Sequence, residues 1–303
     1  MKLNPLVESS ARRRMRSLRT PVVICAYLAS LFILAAVQFS GFMGQGVGVA
    51  QMRQGMEGYI WMTALQFAMI ILVAPALSAG SIAGERERQT FDLLLATGMG
   101  SVRIVLGKLM EHAAYLILLI LLSAPFMSIA LVTGGVGASD VGMTLLYLAV
   151  IALAALSVGM VMSVCFSRTL AAVIVSYLLI FALGAGTWAL AKRGPLAADY
   201  SYKLLASLEG MPALQIIRTL PVTILLNPAV GLVMLLAGQT GILHRTMEST
   251  MRLYNIYSAC KFTGFTPVAL CIFVLTLMAA VAFTALACMI LYVQTGARYR
   301  RGR

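Results

Sequence analysis

Chemistry needs ionisable or nucleophilic groups at workable spacing, and this chain offers few. Its two histidines, His112 and His244, lie far apart. His244 and Glu248 stand at i,i+4, which puts both on one face of a helix, but structural zinc sites use four ligands. The five cysteines, Cys25, Cys165, Cys260, Cys271 and Cys288, form no CxxC pair, and four sit in apolar runs. Neither a zinc site nor a disulfide framework is expected from that usage. There is no H-E-x-x-H and no G-x-S-x-G. Gly137-Ala138-Ser139-Asp140 approaches a serine motif only loosely, has no histidine near it, and reads as a turn. Gly107-Lys108 is the only Gly-Lys pair. Val102 stands where a P-loop needs glycine and Leu109 where it needs Ser or Thr. The expectation is a chain that is not an enzyme, with no catalytic residue, metal or cofactor of its own.

The elements that would have to position such groups are apolar. Hydrophobic residues make up 61% of the chain and charged residues 11%, against about a quarter charged in soluble domains. A water-soluble fold could not cover that much apolar surface. Residues 21–52, 59–84, 113–139, 141–167, 169–191 and 262–297 contain no Asp, Glu, Lys, Arg or His. An ion-coupled carrier usually keeps an ionisable group in its bundle, despite a cost of roughly 2.5–3.5 kcal/mol. Its absence argues against secondary transport, although backbone carbonyls alone can hold sodium. An ion-coupled transporter and a non-transporting scaffold or receptor subunit stay open as alternatives.

A helix needs about 20 apolar residues to cross the hydrocarbon core. Six runs qualify as clean spans: 21–43, 59–81, 109–133, 141–166, 169–191 and 266–293. The first is too long for a signal-peptide core and reads as an uncleaved span. A seventh run, 219–243, carries Pro221, the Asn227-Pro228 pair and Gly231, Gly238 and Gly241, which interrupt a helix. It reads as re-entrant or interfacial short helices, with a full span as the alternative.

The basic residues account for the formal net charge of +13 without a nucleic-acid partner. With six spans, the arm 1–20, the segment 82–112, Arg168 and the tail with Arg298, Arg300, Arg301 and Arg303 share one side. The opposite short loops hold Arg53 alone. The positive-inside rule then places both termini in the cytoplasm. One transmembrane domain, 1–303, is expected. It comprises a cytoplasmic segment 1–20, spans 1–5 over 21–191, an external segment 192–265, the last span and a basic tail 294–303. Residues 4–19 can form an interfacial helix with Val7, Ala11, Met15 and Leu18 on one face. An unstructured basic arm explains the same residues equally well.

The segment 84–100, GERERQTFDLLLATGMG, predicts a short helix outside the spans, near 84–98. Glu85 and Glu87 suit a helix start. Phe91, Leu94 and Leu95 form an apolar stripe at i, i+3, i+4. Gly98 and Gly100 supply a stop, and Ser101 caps the next helix.

Leu77–Met110 resembles the stretch between the second and third spans of ABC transporter permeases of the type 2 family. Gly84, Glu85, Arg86, Glu87, Arg88 and Thr90 match, as do Leu93, Leu94, Leu95, Gly107 and Lys108. Gln89 stands where the family often has a smaller residue. Asn4-Pro5-Leu6, the arginine cluster and the Asn-Pro-x-x-Gly-Leu element at 227–232 are similar too. The resemblance implies a coupling helix that docks on a separate ABC ATPase subunit through Glu85, Arg86, Glu87, Arg88, Thr90, Phe91, Leu94 and Leu95. ATP and magnesium would belong to that partner. It further implies a homodimer, or a heterodimer with a second permease, in the cell's inner (cytoplasmic) membrane, exporting cargo. The uncharged spans favour an apolar or amphipathic cargo.

Overall fold

A computed structural model describes residues 19–40, 48–96, 100–132, 135–192, 227–241 and 267–301. Among these there is no strand. The helices are α1 (Arg19–Ser40), α2 (Val49–Glu87), α3 (Phe91–Ala96), α4 (Ser101–Leu122), α5 (Ala124–Val132), α6 (Ala138–Cys165), α7 (Thr169–Lys192), α8 (Pro228–Thr240) and α9 (Pro267–Arg301). Five stretches are long and apolar enough to cross a membrane: Gln51–Glu87, Ser101–Val132, Ala138–Cys165, Thr169–Thr187 and Ala269–Gly296. That is the architecture of a polytopic, multi-pass membrane protein.

These helices overrun the expected spans. α2 has 39 residues, about 58 Å at the helical rise, where the hydrocarbon core is about 30 Å. α9 continues through the expected tail as far as Arg301. The second stretch, Ser101–Val132, is broken at Ser123, two residues before Pro125, whose ring disfavours helix at its neighbours. At this depth no water can serve the break, and the Ser123 amide instead donates at 3.2 Å to the Ile120 carbonyl. Ser123 Oγ donates to it at 2.6 Å, and Gln66 Nε2 of α2 donates to Ser123 Oγ at 2.5 Å. Pro75 sits inside α2, which runs through it unbroken, and has no N–H to give the preceding turn. There, Tyr177 of α7 donates its hydroxyl to the Leu72 carbonyl.

α6 is the axis of the bundle. Two thirds of its apolar window, 67%, is buried, against 11% for α7 and 22% for α9. α2 and α9 pack most extensively on it. The α2–α6 contact is close because Gly159 faces Ser78. A Cβ at 159 would collide with Ser78 Oγ and lie 3.2 Å from the Ala79 amide nitrogen. Gly80 and Gly84, a small-xxx-small pair in the sequence, face Thr169 of α7, each with room for a Cβ at 3.4 Å. Packing and close backbone approach hold spans together where burial from water gives no drive.

The expected re-entrant segment is described only over 227–241. α8 has 13 residues, about 20 Å, too short to span. Asn227 caps it: its Oδ1 accepts from the Ala229 amide at 3.0 Å, and its Nδ2 donates to the Gly184 carbonyl and Thr187 Oγ1. α8 runs antiparallel to the first half of α6. Tyr147 Oη donates to the Pro228 carbonyl at 3.2 Å, and Gln239 Nε2 donates to the Asp140 carbonyl at 3.0 Å. Tyr59 of α2 joins through Thr144 Oγ1 at 2.7 Å. The segments 1–18, 193–226 and 242–266, with the expected interfacial helix, most of the external segment, Cys260 and the His244–Glu248 pair, lie outside the described residues.

Candidate functional site

The ends of the helices sort the charges. The close of α2, the starts of α4 and α7, and the ends of α6 and α9 meet at one end, joined by hydrogen bonds. That charged end carries Arg86, Arg88, Arg103, Lys108 and Arg168. Arg53 lies at the opposite end, near the starts of α2 and α6, in an i,i+4 pair with Glu57 at 3.1 Å.

At the charged end the chain does not form the single helix expected over 84–98. Residues 84–87 close α2, a turn follows, and α3 begins at Phe91. The turn is a Schellman stop. The Thr90 amide donates back to the Glu85 carbonyl at 2.9 Å, and the Gln89 amide donates to the Arg86 carbonyl at 3.1 Å. Such a stop needs a left-handed residue after the cap. Gln89 supplies it at φ 58°, the one described non-glycine residue with positive φ. Thr90 Oγ1 adds a bond to the Glu85 carbonyl at 3.2 Å. A backbone reversal, more than a helix start, is thus what this charged run encodes. Ser101 likewise is not the cap of α4. Gly100 holds that position, and Ser101 Oγ meets Thr295 Oγ1 of α9 at 3.2 Å.

Three charged residues of the run, Glu85, Arg86 and Glu87, each have their own partner. Glu85 Oε1 pairs with Lys108 Nζ of α4 at 2.6 Å, and that ammonium also donates to the Ser81 carbonyl at 3.3 Å. Arg86 turns inward. Its Nη1 donates to the Val164 carbonyl of α6 at 2.7 Å, and its Nη2 donates to Gln294 Oε1 of α9 at 2.6 Å. The guanidinium also lies 5.0 Å over the Phe91 ring centroid. Glu87 Oε2 accepts from the Thr169 amide at 3.0 Å. A carboxylate there satisfies one free N–H of α7 and suits the positive end of the helix dipole. Arg88 is exposed.

The apolar stripe divides. Phe91 is 3% exposed and packs among Ile82, Ile104, Val105, Val161 and Leu291, and Leu95 leans on the same cluster. Leu94 lies in α3, but its side chain is outside the described set. The outward face of α3 carries Asp92 and Leu93, the latter 75% exposed. Leu93 was legible as part of the Leu-Leu-Leu run, but the helical stripe pointed away from it. Gln294, Thr295 and Val164 carried no sequence signal, because their partners lie far away along the chain. The arrangement offers no nucleophile–base pair. It is a junction: one short helix packed through Phe91 and Leu95 on a cluster from α2, α4, α6 and α9.

Among the described residues no group of three or more His, Cys, Asp or Glu could hold a metal ion. No family model matches the chain, and no curated protein is significantly similar to it.

Proposed function

We propose that the chain is the membrane-spanning subunit of an ATP-driven exporter, and that α3 is where a separate ATPase subunit docks. One observation carries the reading. α3 stands beyond the apolar spans with Leu93 75% exposed, while its root, Phe91, is packed into the bundle beneath Arg86. A push on the exposed face passes through Phe91 and Arg86 to α6 and α9. The likeness of 84–108 to type 2 ABC permeases supports the same role. The exposed leucine would supply the apolar anchor, and the exposed Arg88 would supply register and partner choice.

In this reading the charged end faces the cytoplasm, by the positive-inside rule. α1, with 22 residues or about 33 Å, is the sixth span. The partner ATPase holds ATP and magnesium, and a second copy or a related permease completes the transporter. The cargo is apolar or amphipathic.

The first test is whether a neighbouring reading frame encodes a P-loop ATPase, and the second is co-expression of that ATPase with this chain. Leu93→Asp should abolish co-purification while leaving the melting temperature of the membrane subunit unchanged, since Leu93 contributes little to the core. Undiminished co-purification of Leu93→Asp removes α3 as the docking element. Cargo movement by the purified chain alone in sealed vesicles removes the ATP-driven reading altogether.

A further inference from the structure

The bundle is open on one flank. α7 packs on α2 and α6, and α9 packs on α4, α6 and α8, with no more than marginal contact between α7 and α9. Between them lies a cavity of about 310 Å³. Its floor is one face of α6: Ile151, Ala154, Ala155 and Val158, at i, i+3, i+4 and i+7. Small side chains at 154 and 155 make the hollow. α8's first turn also lines it, and Phe67 of α2 adds an aromatic wall. Phe181 of α7 and Leu275 of α9 line it as well, yet they are 70% and 36% exposed. Exposure of lining residues puts the mouth on the outer flank of the spans. Val158 is seven residues from the charged end of α6 and Ile151 thirteen from its other end, about 10 and 20 Å respectively. The hollow therefore lies at acyl-chain depth.

The lining leaves a polar ligand little to bind. Both Asn227 N–H groups are used, on Gly184 and Thr187, and its Oδ1 is already the α8 cap. Thr276 donates to the Ile272 carbonyl at 2.6 Å. A charged or hydroxylated guest would lose its water without repayment in hydrogen bonds. Apolar cavities also stay dry, and one of about 150 Å³ takes benzene. At about 30 Å³ per water-sized group, this one takes roughly ten carbons of a chain. The hollow has the volume of a chain of that length, far less than that of a whole helix about 10–12 Å across.

We propose that this cleft binds one acyl chain of a bilayer phospholipid, entering sideways between α7 and α9. The inference needs only the apolar spans and holds whether or not the chain works with an ATPase.

The full chain, carrying a photoreactive phenylalanine analogue at Phe67, would be reconstituted in vesicles of dioleoyl phosphatidylglycerol, illuminated and weighed intact. The expected product is the chain plus one phospholipid. Ala154→Trp, which fills the floor, should lower that product about tenfold. Ala279→Trp, from the α9 wall, should do the same and serves if the first variant does not fold. The analogue at Phe181, on the exposed mouth, should label with lipid in every background and reports that the photochemistry works. Three results would overturn the proposal: no lipid on the Phe67 probe while Phe181 labels, a lipid product indifferent to folded tryptophan variants, or a product joining two chains or two segments of one chain.

Discussion

Removing the Arg86 guanidinium should loosen α3 more than any other single change at the charged end. Arg86→Met keeps the stem and deletes the charge. Two charge-assisted hydrogen bonds go, at 2.7 and 2.6 Å, together with the contact over Phe91. Each such bond has a net worth of about 1.5–3 kcal/mol when buried. Arg86 is only half-buried, so water can replace part of what is lost, and about 1 kcal/mol per bond is the sounder figure. The cation–π contact adds about 0.5–1 kcal/mol. The total is about 2–3 kcal/mol, falling first on the turn 88–90 and α3.

Two assays read it. Denaturation in mixed detergent micelles should show the loss directly, and the double mutant with Gln294→Leu should show a coupling of about 1 kcal/mol. Arg86→Lys should recover only part of it, because one ammonium cannot fork to both acceptors. Limited trypsin digestion reads the local opening. Arg88 is exposed in the turn, and a 2 kcal/mol local loss raises the open population about 30-fold. Cleavage after Arg88 should rise accordingly. If Arg86→Met stays within about 0.5 kcal/mol of the parent and is cut no faster, the inward fork of Arg86 does not hold this end together.

Two further changes probe the backbone. Gly231 of α8 lies against α6 and α9: a Cβ there would collide with the Tyr147 hydroxyl and come within 2.6 Å of Ile272 Cγ2. Gly231→Ala should cost about 2–3 kcal/mol through overpacking and the displaced Tyr147–Pro228 bond. Tyr147→Phe in the same chain should return part of that loss, and strict additivity of the two in a melting experiment would refute the contact. Gln89 holds a left-handed conformation, so Gln89→Gly should be neutral or gain up to about 1 kcal/mol, while the β-branched Gln89→Val should lose about 1–2 kcal/mol. A valine variant that melts no lower than the glycine variant would show that this turn is not fixed as described.

What the sequence made legible follows from what lipid demands of it. A span must be apolar along its whole length, so runs without charge mark the helices, and five of the expected stretches correspond to described helices that qualify. Their ends were less legible. α2 overruns its expected span at both ends, from Val49 at the start and through Glu87 at the close, and its stop depends on a left-handed Gln89 that no breaker residue announces. The charged run was readable as a distinct element, but its roles were not. Amphipathicity gives a helix an inner and an outer face without saying whether the apolar face meets a partner or its own bundle. Phe91 meets its own bundle, and so does Leu95, because α2 stops early enough to lay α3 back across α4 and α9. The acyl-sized cleft shows the same limit more sharply. Ala154 and Ala155 look like any small residues in a span. They become a hollow only because α7 and α9 stand apart on either side of them, and that separation is a property of three helices that no single stretch of sequence contains.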